Sequence, residues 1–170
     1  GSDDILSIAM AGGASDTQIF SATTGAYSGA LDVTGGTLSV TTAASLGNDT
    51  GATAASTGTL DLSGLALAST EAINLSGVGA SGAGALTASV TSSIAATNVV
   101  TLVDDASIGG AGDLTISGAL GDGGGAKSLT KVGAGTLLLS VASTYTGTTA
   151  INGGILQAGV ADVIGTSSAV

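Results

Sequence analysis

Apolar residues recur two places apart along this chain, and a glycine introduces each pair. The phrase is Gly, any residue, Leu, any residue, apolar. It reads GALDV from Gly29, GTLSV from Gly36, GTLDL from Gly58, GALTA from Gly84, GDLTI from Gly112, GTLLL from Gly135 and GILQA from Gly154. The glycine, leucine and apolar frequencies give about one or two such phrases by chance, so seven mark an internal repeat. Side chains two apart on a strand point the same way, so each phrase predicts a short strand with two residues turned to a core. Other β-like runs begin at Ile73 (INL), Asn98 (NVVTLV), Ser128 (SLTKV) and Thr148 (TTAI), with Gly, Ser, Asn and Asp clusters between them. After the first step the phrases start 19 to 28 residues apart, the length of one solenoid turn, so the Leu pairs are expected to be equivalent rungs of one ladder, each seated over the last.

The core must be slim. The chain has 30 Gly, two Tyr, one Phe and no Trp, whereas a sandwich draws on bulky residues between its sheets. In a parallel β-solenoid each coil lies on the one before it, stacked Leu, Val, Ile and Ala fill the interior, and every internal strand finds partners on both sides. The expected fold is therefore all-β, a right-handed parallel β-helix, the hand following from that of parallel crossovers. The alternative is an antiparallel β-sandwich. Asn152-Gly153 between two β-prone runs reads as a hairpin turn in that fold and as a corner in the solenoid.

Composition narrows the function. A net charge of −10 with two Lys and no Arg or His argues against nucleic acid as a partner. It argues equally against an anionic membrane surface, and reads as solubility for an apolar chain. Without cysteine there is no disulfide framework and no thiolate metal site. No apolar run is long enough for a membrane helix. Gly1-Ser2 reads as a scar of tag removal, leaving residues 3–170 as a single solenoid segment.

Residues 128–159, SLTKVGAGTLLLSVASTYTGTTAINGGILQAG, resemble the passenger-associated transport repeat, the autotransporter-associated β-strand repeat of bacterial surface proteins. The resemblance rests on Lys131, Gly133, Gly135, Thr136, Leu137, Tyr145, Gly147, Asn152, Gly153, Gly154 and Leu156, with Leu129-Thr130, Leu139-Ser140, Thr144, Thr146, Thr148-Thr149 and Ile151 between them. Ser143 stands where the family often has Asn, and the single Gly147 where two glycines are common. The resemblance implies a segment of a longer passenger, exported and displayed on the cell surface or secreted. It implies a structural stalk or adhesin that is not an enzyme, and whose folding outside the cell assists export. The alternative is an adhesion module that recognises a glycan or host protein through loops 41–57 or 104–127. Self-association through open solenoid ends is a further expectation.

Candidate chemistry is thin. GDGGGAKS at residues 121–128 lacks the glycine before Lys127 that a phosphate-cradling loop needs, and a strand pattern follows it. A glycine-rich corner is expected instead, with Lys127 and Lys131 in solvent or paired with Asp122. GGAGDL, from Gly109, is similar to a calcium nonapeptide, but Asp113 comes one place early and the motif does not repeat. Asp3-Asp4 and Asp104-Asp105 read as solvated turn carboxylates. Asp32 and Asp61 hold the same place in the phrase, so both are expected to point outward, stacked on one face of neighbouring coils. Such a pair invites glycosidic chemistry, but the few aromatics and the missing His and Arg argue against it. Tyr145 is expected at a coil edge with its hydroxyl at the surface. The Thr-rich runs are too irregular for an ice-binding ladder. The glycosylation patterns at Asn48 and Asn74 are expected by accident. No cofactor and no metal site are expected.

Overall fold

The computed structural model describes residues 6–8, 13, 15–21, 30–47, 52–55 and 57–165. It is a β-solenoid of about six turns, built as three ladders. The first stacks β1 (Leu6–Ile8), β3 (Leu31–Val33), β5 (Ala52–Ala55), β8 (Ala72–Gly77), the first half of β11 (Val99–Gly109) and β13 (Leu120–Gly121). The second stacks β2 (Thr17–Phe20), β4 (Thr37–Val40), β6 (Thr59–Asp61), β9 (Leu86–Thr87), the second half of β11, β14 (Leu129–Lys131) and β16 (Thr149–Ile151). The third holds β7 (Ala66–Leu67), β10 (Ser92–Ile94), β12 (Leu114–Ile116), β15 (Thr136–Leu139) and β17 (Ile155–Ala158). Every pairing among the described residues is parallel, and facing residues lie 19 to 29 positions apart. The sandwich alternative is thereby excluded. Asn152-Gly153 is a corner: β16 and β17 flank it on different ladders, and the Asn152 N–H donates to Lys131 O of the coil below.

The period-two pattern places the core as expected. Leu31 and Val33, Leu38 and Val40, Leu60 and Leu62, Ile73 and Leu75, Leu114 and Ile116, and Leu137 and Leu139 are all buried. Their stacking corrects one expectation, that the seven phrases are equivalent rungs of a single ladder. Leu31 sits on the first ladder, Leu38, Leu60 and Leu86 stack on the second, and Leu114, Leu137 and Leu156 stack on the third. The phrase moves to another side of the coil between Leu86 and Leu114. Any side can take it, because each needs the same thing: an inward Leu beside a corner where two backbones meet.

At those corners glycine answers to close approach. A Cβ on Gly135 would lie 2.0 Å from Gly112 O of the coil below, and one on Gly147 would lie 2.3 Å from Lys127 O. Loop glycines have room: nothing lies within 4 Å of a Cβ on Gly123, although its φ is +61°. Gly135→Ala is expected to collapse the stacking at that corner, with a destabilisation above about 3 kcal/mol. Gly123→Ala is expected to cost only the left-handed backbone penalty, about 1 kcal/mol. Urea unfolding of the two variants against the parent chain checks the contrast.

Candidate functional site

The residues that carry the repeat, 128–159, form a coil and its successor at the C-terminal end of the described stack. Leu129 and Lys131 are two apart on β14 and both turn inward. Lys131 takes the next rung above Leu38, Leu60, Leu86 and Ile108. It is 2% exposed, which corrects its expected place in solvent. The aliphatic stem replaces a leucine in the stack, and the ammonium reaches the corner. There Nζ donates to Val132 O (2.6 Å), Gly133 O (3.2 Å) and Gly153 O (3.3 Å). Gly154 leaves the space, since a Cβ there would stand 2.8 Å from Nζ. Lys131, Gly133, Gly153 and Gly154 are thus one constellation. Burial pulls the ammonium below its usual value, and the charge of Asp113 opposes that shift.

Gly135, Thr136, Leu137 and Leu156 belong to the neighbouring corner and to the third ladder, with Leu137 over Leu114 and under Leu156. Gly147 closes the turn against the backbone of Lys127 and Ser128. Tyr145 is 1% exposed, and its hydroxyl lies 2.7 Å from Thr149 Oγ1. The expectation of a surface hydroxyl is corrected: the ring fills the core at this coil's edge, and Gly165 packs against it. Asn152 is exposed at its corner.

The carboxylates do more than dissolve the chain. The Ser128 N–H donates to Asp105 Oδ1 (2.7 Å), Thr136 N–H to Asp113 Oδ1 (2.8 Å), and Thr146 N–H to Asp122 Oδ2 (2.7 Å). Each bond joins an aspartate to the coil after it, 23 or 24 residues on. Asp122 also accepts from Thr146 Oγ1 (2.8 Å) and Gly124 N–H (2.9 Å). Those bonds, Thr146's first, hold its carboxyl down to about 2. Sequence reasoning missed these latches, although Asp105, Asp113 and Asp122 all stand at corners. Lys127 pairs with Asp104 at 3.2 Å and not with Asp122. The loop at 121–128 therefore forms no phosphate cradle: its aspartate faces the next coil and its lysine the coil below. No group of three metal-ligating residues occurs among the described residues. Asp32 and Asp61 lie on different ladders and do not stack. Asp61 is buried. Tyr27, Asn48 and Asp3-Asp4 fall outside the described residues, as do residues 48–51 and 56 of the expected loop 41–57. The expectation of side loops at 41–57 and 104–127 is corrected, since the first contains β5 and the second contains β12 and β13.

Two segments, residues 15–40 and 129–158, match the sequence model of the passenger-associated-transport-repeat. The first match was not anticipated, and the signal for it is plain. Tyr27, Gly29, Gly35, Gly36 and Leu38 repeat the spacing of Tyr145, Gly147, Gly153, Gly154 and Leu156. An adhesin from Brucella suis biovar 1 (strain 1330), the BmaC autotransporter, is 44% identical over 66 residues, covering 35% of this chain and 2% of the adhesin. The chain thus spans about 2% of the length of that curated relative. No solved structure matches.

Two outcomes follow from the titrating groups. Asp122 has a folded value below its ordinary 3.8. Its latch is therefore fully formed above about pH 4 and is lost as pH falls through about 2. Asp122→Asn should remove that part of the acid dependence, read as the Thr146 amide shift in an NMR titration. Lys131 has a folded value below 10.5, so the folded chain gives up that proton first, and stability rises as pH climbs towards 10.5. Lys131→Met should abolish this alkaline rise. At neutral pH it should cost about 1–3 kcal/mol, because the carbonyls lose their donor; denaturant melts at pH 7 and pH 10 measure both.

Proposed function

We propose that this chain, which carries the passenger-associated transport repeat at two places, is a structural segment of an exported bacterial surface protein. One observation carries the reading. The repeat coil continues the stack without a break: β14 pairs with β11 below and β16 above, and β15 with β12 and β17. A rod of such coils transmits load along hydrogen-bonded ladders and holds whatever it bears away from the cell. Its role is mechanical and not catalytic.

The same stacking suits folding during export. A finished coil presents open strand edges on which the next 19 to 29 residues can settle. Folding therefore advances in short local steps and draws the following chain outward. The chain has neither proline nor cysteine, so no slow prolyl isomerisation or disulfide exchange interrupts those steps. The relative's description as an adhesin favours a second reading, in which a corner loop such as 122–127, within the segment 104–127, contacts a glycan or host protein.

The test is surface labelling. An epitope placed at Gly123–Gly125 of the intact parent protein should bind antibody on unbroken cells and be removed by added protease. Gly135→Ala should lower the surface signal several-fold while the intracellular precursor accumulates. Epitope detectable only after lysis would overturn the proposal.

A further inference from the structure

The outer side of the second ladder carries a groove of about 440 Å³, bordered by Thr37, Ser39, Asp61, Thr87 and Ser89. The strand face forms its floor. One wall is the loop around the 3₁₀ turn Ala80–Gly82, which continues to Ala83. Thr59 pins this loop: its Oγ1 donates to Gly84 O (2.8 Å) and accepts from the Ala80 N–H (2.9 Å). Ile19, Ala83 and Ala111 supply apolar edges.

Asp61 lies at the bottom, 5% exposed. Its carboxylate accepts from Ser39 Oγ (3.1 Å), Thr87 Oγ1 (3.2 Å), Ser89 Oγ (2.7 Å) and the Ser89 N–H (2.8 Å). Two consequences follow. A hydroxyl has one proton to give, so Ser39, Thr87 and Ser89 have spent theirs on Asp61 and offer the groove lone pairs only. The carboxylate is also satisfied in hydrogen bonding but not in charge. The chain has two lysines and no other cationic side chain, and both are committed elsewhere, Lys127 to Asp104 and Lys131 to backbone carbonyls. No side chain of this molecule can compensate the buried anion. Burying an unpaired charge is costly, and a cation brought to the groove removes that cost.

We infer that the groove binds a primary ammonium on an aliphatic stem, the chemistry of a lysine side chain on a partner. Three N–H donors meet the hydroxyl lone pairs above a fixed negative charge, and the stem lies along Ile19, Ala83 and Ala111. A hard metal ion suits the site less well, because four donors already occupy the roughly four acceptor positions of the carboxylate. The inference rests on the chemistry of the groove and not on the export reading, and it stands or falls separately.

The experiment titrates the intact chain with Nα-acetyl-lysine methylamide while following the Ser39, Thr87 and Ser89 amides by NMR. The neutral norleucine analogue, glucosamine, glucose and calcium chloride serve as comparison arms. The lysine compound should shift all three amides saturably, with affinity falling as salt rises, and the norleucine analogue should not. Glucosamine binding more tightly than the lysine compound would retain the ammonium chemistry but assign it to an amino sugar. Asp61→Asn should weaken binding by about tenfold or more. If that variant does not fold, Ala83→Lys, a change on the exposed rim, should block the groove with its own ammonium and abolish the shifts. Equal binding of the norleucine analogue or of glucose, preferential binding of calcium, absence of binding at saturating lysine compound, or undiminished binding to Ala83→Lys would each overturn the proposal.

Discussion

The structure depends on one coil's main chain lying in parallel hydrogen-bonding contact with the next along three sides. That spacing leaves room inside for aliphatic side chains and little else. It also leaves no room for a Cβ at corners such as Gly135 and Gly147, where one would lie 2.0 to 2.3 Å from a carbonyl oxygen of the coil below. The high Gly content, the small aliphatic core and the scarcity of aromatics are three faces of this constraint. Where an aromatic does enter, as Tyr145 does, Gly165 opposite it makes the space.

Given that geometry, charge takes on an unusual division of labour. A parallel stack satisfies its strand amides internally but leaves corner amides at the strand ends. Asp105, Asp113 and Asp122 each reach across to one of these in the following coil. A carboxylate hydrogen-bonded to backbone N–H is a strong contact, so an acidic surface also serves cohesion along the rod. Lys131 makes the complementary arrangement, an ammonium capping carbonyls at the inner side of a corner. Asp61 resembles neither. Its donors come from the two coils that flank its own, Ser39 on one side and Thr87 and Ser89 on the other, and it leaves a negative charge beneath an open groove.

The ends of the stack differ from its middle for the same reason. The inward Leu residues of the central coils are fully buried, whereas the inward Ile151 on β16 is 45% exposed and the inward Leu156 on β17 is only partly buried. No further strand lies over them among the described residues. Such edges are competent to receive more chain, which is what coil-by-coil growth uses.

Much of the fold was legible in the residues. The Leu pairs at spacing two, the 19-to-28-residue step and the glycine corners suffice for an all-β solenoid, because each is a local consequence of how a strand must enter and leave a coil. Leu129 and Lys131 carried the same spacing, and the inward place of Lys131 could have been read from it. Charge argued for solvent, and only the three carbonyls gathered from two coils outweigh that argument. The repeat at 128–159 was legible as wording, and its partner at 15–40 as a matching spacing from Tyr27 to Leu38. The sequence by itself determined the strand period, the turn chemistry and the slim aliphatic composition. Only the tertiary structure decided which ladder each phrase occupies, which coil each aspartate holds, and that Asp61 sits under a groove while Asp32 does not. Those assignments depend on the varying length of each turn, which sets the register between residues 19 to 29 places apart and is written in no single stretch of the chain.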